Sequence, residues 1–101
     1  YFSSQRIRKY IDRDDELKRR GIFFDLPEID PKTTPYISTK SSPKTYGHQG
    51  FTGTCVWLDP ENDLIFIFLS NRTYPNSQLN TLHKKRYRTK IQDAFYNAIM
   101  E

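Results

Sequence analysis

The sequence predicts an α+β fold, with an antiparallel sheet of about three strands and a C-terminal helix packed on one face of it. Two apolar runs rich in aromatic and β-branched residues, 51–58 and 64–69, are joined by the turn-forming stretch 59–63, DPEND. Such a short connection favours an antiparallel hairpin. Between residues 79 and 99, apolar residues recur at helical spacing among basic ones, which is typical of a helix that packs through one side.

We predict strands at 21–25, 46–58 and 64–71. The run LIFIFL at 64–69 has no polar residue at either parity, a pattern typical of a central strand that is covered on both faces. Three glycines, at positions 47, 50 and 53, indicate a bulge or a close approach by a ligand or another backbone.

The other segments are predicted to be a charged lead-in, a loop and the terminal helix. Residues 1–20 form the lead-in, with a short exposed helix, before a unit that covers 21–101. Residues 26–44 contain four prolines, which indicates a long, mobile loop. One helix at 78–100 can cover only one sheet face. The other face is therefore expected to be uncovered, and an apolar patch of this kind favours self-association.

Composition limits the functions that the chain can have. Its 101 residues form one domain at most, and the single cysteine excludes an internal disulfide. The chain contains no apolar run of the roughly 20 residues that a membrane helix needs, and no signal peptide is recognisable in it. It also lacks metal-ligand spacing, a phosphate loop and a dinucleotide fingerprint, so no cofactor is predicted.

The stretch 46–72 carries a recognisable motif. HQGFTGT at 48–54 is followed by WLDP at 57–60 and by LSNR at 69–72. This order resembles the third active-site motif of the serine β-lactamase and penicillin-binding-protein superfamily, in its class C and esterase branch. Together with the segments 19–25 and 88–96, it is similar to β-lactamase-like domains that follow a family 3 glycoside hydrolase of the β-N-acetylhexosaminidase type in bacterial exported proteins.

The resemblance implies a role for each residue of the motif. His48 would face the cleft, Gly50 would let a substrate lie against the strand, and the Phe51 N–H would serve the oxyanion hole. Gln49 and Thr52 would contact the substrate, although Gln49 departs from the usual Thr or Ser.

The resemblance also implies a C-terminal part of a five-stranded domain whose nucleophile lies upstream. Such a part would be inactive alone, would pair with the missing N-terminal portion of its own domain, and would belong to an extracytoplasmic, periplasmic protein.

Other interpretations remain open. A non-catalytic accessory module of a glycosidase is one alternative. A nucleic-acid surface built from the basic run 84–90 with Arg6, Arg8 and Lys9 is another, although acidic residues are interleaved.

Several single residues and short matches need no functional role. We interpret Ser41-x-x-Lys44 and Tyr74-x-Asn76, which match the family's first two motifs loosely, as chance. Cys55 is expected to be buried and His83 to be exposed.

Overall fold

The computed structural model describes residues 4–12, 23–30 and 32–100. In chain order, the elements are helix α1 (Ser4–Ile11), strands β1 (Tyr46–Gln49), β2 (Cys55–Asp59) and β3 (Leu64–Phe68), and helices α2 (Thr81–Lys84) and α3 (Tyr87–Ile99). The three strands form one antiparallel sheet in the order β1-β2-β3. The predicted α+β class is confirmed. The charged stretch 13–20 of the lead-in lies outside the described residues.

The prediction of one strand over 46–58 is wrong, because the chain reverses in the middle of it. His48 on β1 pairs with Val56 on β2. Between the strands, the Gly50 N–H donates to the Thr54 carbonyl at 2.8 Å, and the Gly53 N–H donates to the Gly50 carbonyl at 3.1 Å. Gly53 has φ +95°, a conformation that side chains with a Cβ rarely adopt. Gly50 and Gly53 therefore form a turn rather than a bulge. Gly47 instead lies in β1, where an added Cβ would clash with the Val56 carbonyl oxygen, so the predicted close approach of another backbone is confirmed there.

The strand predicted at 21–25 is reduced, within the described residues, to a single antiparallel bridge. Asp25 and Gly47 exchange two backbone hydrogen bonds of 2.8 and 3.1 Å, while Phe23 and Phe24 lie in a bend. Gly21 and Ile22 lie outside the described residues. The segment does lie antiparallel beside the sheet, but the third strand of the sheet is β1.

The core lies between the sheet and the segments that cross one of its faces. Its buried apolar residues are Ile37, Cys55, Trp57 and Phe66. The rings of Phe66 and Phe95 meet edge to face with centroids 5.7 Å apart, so α3 packs on this face as predicted. We call it the helix-side face.

The proline-rich loop packs against α3 and the core. Ile37 is 3% exposed and Ser38 is 2% exposed. The Ser38 N–H donates to Gln92 Oε1 at 2.9 Å, and the Ser38 hydroxyl donates to Asp93. The expected absence of helix and strand is confirmed for residues 26–30 and 32–44.

The opposite face of the sheet, here called the open face, lacks a cover within the described part of the chain. Ile65 and Ile67 of β3 are 63% and 61% exposed, and β3 is an edge strand. Two-sided burial of β3 was therefore a wrong prediction for the described chain, whereas the uncovered face is confirmed. Self-association through it stays a prediction.

The helix predicted over 78–100 is broken in two. Arg86 adopts a left-handed conformation (φ 56°, ψ 36°) between α2 and α3. The buried residues of α3 are not its apolar stripe, which is partly exposed, but Arg88, Thr89, Gln92 and Tyr96. None of the helices in the described ranges is long and apolar enough to cross a membrane.

Candidate active site

His48 lies on the open face, with its ring exposed. Its β1–β2 pairing places it beside Val56 and, one strand further, in line with Ile67. The Nδ1 atom lies 2.7 Å from the Gln49 carbonyl oxygen. Because a carbonyl only accepts hydrogen bonds, Nδ1 carries the hydrogen, and in the neutral ring Nε2 keeps a free lone pair.

Gln49 points to the other side of the sheet. It pairs with Cys55, so its side chain shares the helix-side face, since alternate residues of a strand face opposite sides. It is half-buried and lines a cavity with Arg88 and Thr89. The side chains of His48 and Gln49 therefore lie on opposite faces of the sheet, and their service to one cleft stays a prediction.

Gly50, Phe51 and Thr52 form the turn that follows β1. A Cβ on Gly50 would clash with the Thr54 hydroxyl. The Phe51 side chain is 73% exposed, and the Arg72 guanidinium lies 4.5 Å above its ring.

Hydrogen bonds from residues 70 and 72 hold the Thr52 carbonyl of this turn. The Thr52 carbonyl accepts from the Arg72 N–H at 2.9 Å and from the Ser70 hydroxyl at 3.0 Å. The Phe51 N–H, in contrast, donates to no atom of the described residues. A backbone donor next to His48 is thus available to a ligand.

The two loose matches to the family's other motifs do not assemble a nucleophile. The Ser41 hydroxyl donates to the Ser38 carbonyl at 2.8 Å, and the Lys44 ammonium lies 3.8 Å from the Glu61 carboxylate. Tyr74 is 80% exposed. These contacts support the interpretation of both matches as chance.

Sequence reasoning missed a buried carboxylate that joins three parts of the chain. Asp59 accepts hydrogen bonds from the Ser42 hydroxyl (2.6 Å) and N–H (2.9 Å), from the Tyr96 hydroxyl (2.6 Å) and from Asn62 Nδ2 (2.8 Å). It is 2% exposed. Its position in a DPEND turn indicated only a turn residue, because its partners Ser42 and Tyr96 are remote in sequence.

Hydrogen bonding decides the ionisation of this group. Burial would raise the pKa of Asp59, but the bonds from Ser42, Tyr96 and Asn62 outweigh it and lower that pKa below its ordinary range. Burial and the neighbouring carboxylate raise the pKa of the Tyr96 phenol. Asp59 is therefore a structural anion that is satisfied inside the protein, and not a free general base.

The remaining expectations concern Cys55, His83 and the basic run. Cys55 is buried, as predicted, and burial raises the pKa of its thiol. His83 is exposed, also as predicted. The basic run 84–90 does not form one surface, because Arg88 and Thr89 within it are buried. Among the described residues, no group of His, Cys, Asp and Glu is suited to hold a metal ion.

Comparison with known proteins places this geometry in a family. The Beta-lactamase family model matches residues 12–88, which is more than half of the chain. The chain belongs to the beta-lactamase family. The match includes β1, β2, β3 and the turn after His48, and it ends at the first turn of α3.

Relatives in this family are similar over a shorter stretch. A protein named "Putative D-alanyl-D-alanine carboxypeptidase" from Escherichia coli (strain K12) is 46% identical over 41 residues, which are 41% of this chain and 9% of that protein. A protein of the same name from Salmonella newport (strain SL254) is 44% identical over 41 residues, 41% of this chain and 10% of its own length. The matched stretch thus spans about a tenth of these relatives. No solved structure matches the chain significantly.

Proposed function

We propose that this chain forms one wall of the cleft of a serine hydrolase, in which His48 and the Phe51 N–H contact the reacting groups. The observation that carries this proposal is their arrangement. His48 is exposed with Nε2 free, and a backbone N–H without an acceptor among the described residues follows three residues later. Membership of the beta-lactamase family supports the assignment of this turn as the His-x-Gly motif.

The chemistry of each group fits acyl transfer. In its neutral form, His48 Nε2 can accept a hydrogen bond from a hydroxyl that shuttles protons. In its charged form, it can donate to a substrate carboxylate. The Phe51 N–H would bind the oxyanion of the tetrahedral intermediate, where one donor contributes roughly 10²–10³ in kcat. Gly50 would let the substrate lie along β1.

The nucleophile is proposed to lie outside these 101 residues, upstream in the same protein. Ser41 is bound to Ser38 and Lys44 pairs with Glu61, so the described residues do not offer the Ser-x-x-Lys pair that this family uses. The short share of its relatives that the chain matches supports this reading. We therefore expect the isolated chain to be inactive.

The substrate class follows from the names of the relatives. If the activity in those names extends to this protein, the cleft accepts an acyl-D-alanine peptide with a terminal carboxylate. A periplasmic location would give it access to cell-wall peptides of this kind.

A non-catalytic accessory module of a family 3 glycoside hydrolase is the second candidate. The observation that favours it is Gln49. This residue stands where the family usually has Thr or Ser, and its side chain lies on the helix-side face, away from His48. A hydroxyl contact to the substrate is therefore missing at this position.

Hydrolysis of a chromogenic ester and a chromogenic cephalosporin by the full-length protein tests the proposal. His48→Ala is expected to lower kcat/KM by about 10²-fold. His83→Ala is the matched control, because His83 lies at α2 on the other side of the sheet, and it should leave kcat/KM unchanged. Absence of activity in the full-length protein, or equal effects of the two variants, would favour the accessory module.

Gly50 gives a second test. Gly50→Ala clashes with the Thr54 hydroxyl and should lower both stability and activity. In Gly50→Ala/Thr54→Ala the clash is removed, so the melting temperature should return, whereas activity should stay low because the added methyl group still blocks the strand. Recovery of activity together with stability would mean that Gly50 serves packing only.

A further inference from the structure

Thr54 is a hydroxyl residue on the open face, directly across the turn from Gly50. The Gly50 N–H donates to the Thr54 carbonyl at 2.8 Å, so these two residues continue the pairing of His48 with Val56 beyond the ends of β1 and β2. Residues two apart on one strand share a face. Thr54 therefore lies on the face of Val56, which is also the face of His48.

A contact at Gly50 supports this orientation of the Thr54 side chain. A Cβ on Gly50 would point to the same face as His48, two residues earlier, and it would clash with the Thr54 hydroxyl oxygen. The hydroxyl thus lies next to the glycine along which the substrate is proposed to lie. Strand register and the contact at Gly50 are separate observations, and both place this hydroxyl on the face of His48.

The Thr54 hydroxyl is available to a ligand. It forms no hydrogen bond with an atom of the described residues, and Thr54 is only half-buried. The neighbouring Ser70 hydroxyl, in contrast, is used within the protein, because it donates to the Thr52 carbonyl at 3.0 Å. A threonine hydroxyl without a partner keeps its donor and its acceptor capacity. Thr54 thus offers a free hydroxyl beside His48.

Gln49 gives this hydroxyl a role. It stands where the family usually has Thr or Ser, and its side chain lies on the helix-side face. We propose that Thr54 supplies the missing hydroxyl contact, by donating to the terminal carboxylate of the substrate together with the charged form of His48. Diagonal neighbours on paired strands lie roughly 7–8 Å apart or less, a gap that one carboxylate can bridge. This inference rests on the function proposed above, because it assigns a further residue to the same cleft.

The assignment makes Thr54 a specificity-determining residue. A hydrogen bond to a charged acceptor is stronger than one to a neutral acceptor, so Thr54 should favour a substrate that ends in a carboxylate over one that ends in an amide. The carboxylate keeps its charge throughout the reaction. Its contact is therefore equally strong in the ground state and in the transition state, and losing it should raise KM while leaving kcat nearly unchanged.

Hydrolysis of an acyl-D-alanyl-D-alanine peptide and of its C-terminal amide by the full-length protein tests the proposal. The two substrates share the scissile bond and differ only in the terminal group. Thr54→Val keeps the branched side chain and removes the hydroxyl. It should raise KM for the peptide roughly tenfold, as expected for one hydrogen bond to a charged group, and change KM for the amide less than about twofold. Thr54→Ser retains a hydroxyl and should keep the preference for the peptide.

Two further variants serve as references. Thr39→Val makes the same substitution at an exposed threonine of the loop and should change KM for neither substrate. Thr54→Ala is the reference for Gly50→Ala/Thr54→Ala, because both lack the hydroxyl. Activity on the amide that the double variant lacks relative to Thr54→Ala then belongs to Gly50.

The outcomes separate this inference from the proposed function. An equal rise of KM for both substrates in Thr54→Val, or no rise for either, would overturn the role of Thr54 and leave the serine hydrolase intact. So would an unaltered protein that hydrolyses the chromogenic ester but shows no preference for the peptide over its amide. A full-length protein that hydrolyses neither the ester nor the two peptide substrates would overturn both proposals.

Discussion

The two faces of the sheet are formed by the same three strands, but one face is covered and the other is exposed. On the helix-side face, Trp57 and Phe66 are buried beneath α3 and the proline-rich loop. On the open face, Ile65 and Ile67 stand exposed on β3, with His48 on β1. Alternate residues of one strand therefore differ completely in environment.

We expect the residues of one face to affect mainly stability and those of the other to affect mainly function. The helix-side face is closed by apolar packing and by the Asp59 hydrogen bonds, so changes there should affect folding. The open face carries the His48 ring and the Phe51 N–H, so changes there should affect activity or association.

The largest expected effect comes from neighbouring residues of β3. Phe66→Ala should lower the free energy of unfolding by about 3–5 kcal/mol, because it leaves a cavity in the core. Ile67→Ala, one residue further, should cost about 1 kcal/mol or less, since its side chain is already in solvent. Urea unfolding of the two variants measures the difference. Equal losses would show that another part of the protein covers the open face.

The second largest expected effect on stability concerns the buried carboxylate of Asp59. Asp59→Asn should lower the free energy of unfolding by about 2–3 kcal/mol, because an amide places a donor against donors and removes charge-assisted bonds. Asp63→Asn is the matched control. Asp63 is exposed with φ 49°, a conformation that asparagine tolerates, so a change within about 0.5 kcal/mol is expected. A similar loss of unfolding free energy in both variants would show that the Asp59 hydrogen bonds do not stabilise the fold specifically.

The pH dependence of stability should follow Asp59. Its pKa is lowered in the folded state, so its contribution is present above the ordinary aspartate pKa of about 4 and is lost as the pH falls below that value. Unfolding measured between neutral pH and pH 3 should show this loss in the unaltered protein and a smaller one in Asp59→Asn. Parallel curves for the two proteins would contradict the prediction.

The smallest expected effect is on association of the isolated chain. The exposed apolar residues of the open face favour self-association, and an edge strand adds unpaired backbone groups. Ile67→Lys should reduce the weight-average mass in sedimentation equilibrium. Ile29→Lys, also at an exposed isoleucine but in the loop, should not. A monomeric chain at all concentrations would count against this interpretation of the face.

Sequence patterns sufficed for the elements whose signal is local. The apolar run LIFIFL and the DPEND turn predicted the β2–β3 hairpin, and Cys55 was correctly predicted to be buried. Helical spacing predicted a C-terminal helix, although the spacing continues across Arg86, where the backbone turns left-handed. Periodicity describes which residues are apolar, and it contains no information on a single residue that breaks the helix.

The candidate site was predicted only in part. Family motifs identified the residues from His48 to Thr52, but a strand was expected where the glycines make a turn. That turn decides the geometry, because it ends β1 and leaves the Phe51 N–H without a partner in the described chain. A strand over 46–58 already places the adjacent residues His48 and Gln49 on opposite faces, but only the tertiary structure decided which of these faces α3 covers.

The sequence by itself determined the antiparallel hairpin and the position of the motif, because each depends on residues close together in the chain. It also predicted the uncovered sheet face, because one amphipathic helix can cover only one face. Only the tertiary structure decided that a proline-rich loop supplies Ile37 to the core and that α3 packs partly through polar residues. It also decided that Asp59 joins Ser42 to Tyr96. Ser42 lies 17 positions from Asp59 in the sequence, and Tyr96 lies 37 positions from it. These hydrogen bonds stabilise the fold by pairing buried polar groups that are remote in the sequence. A local sequence pattern contains no information on such pairs.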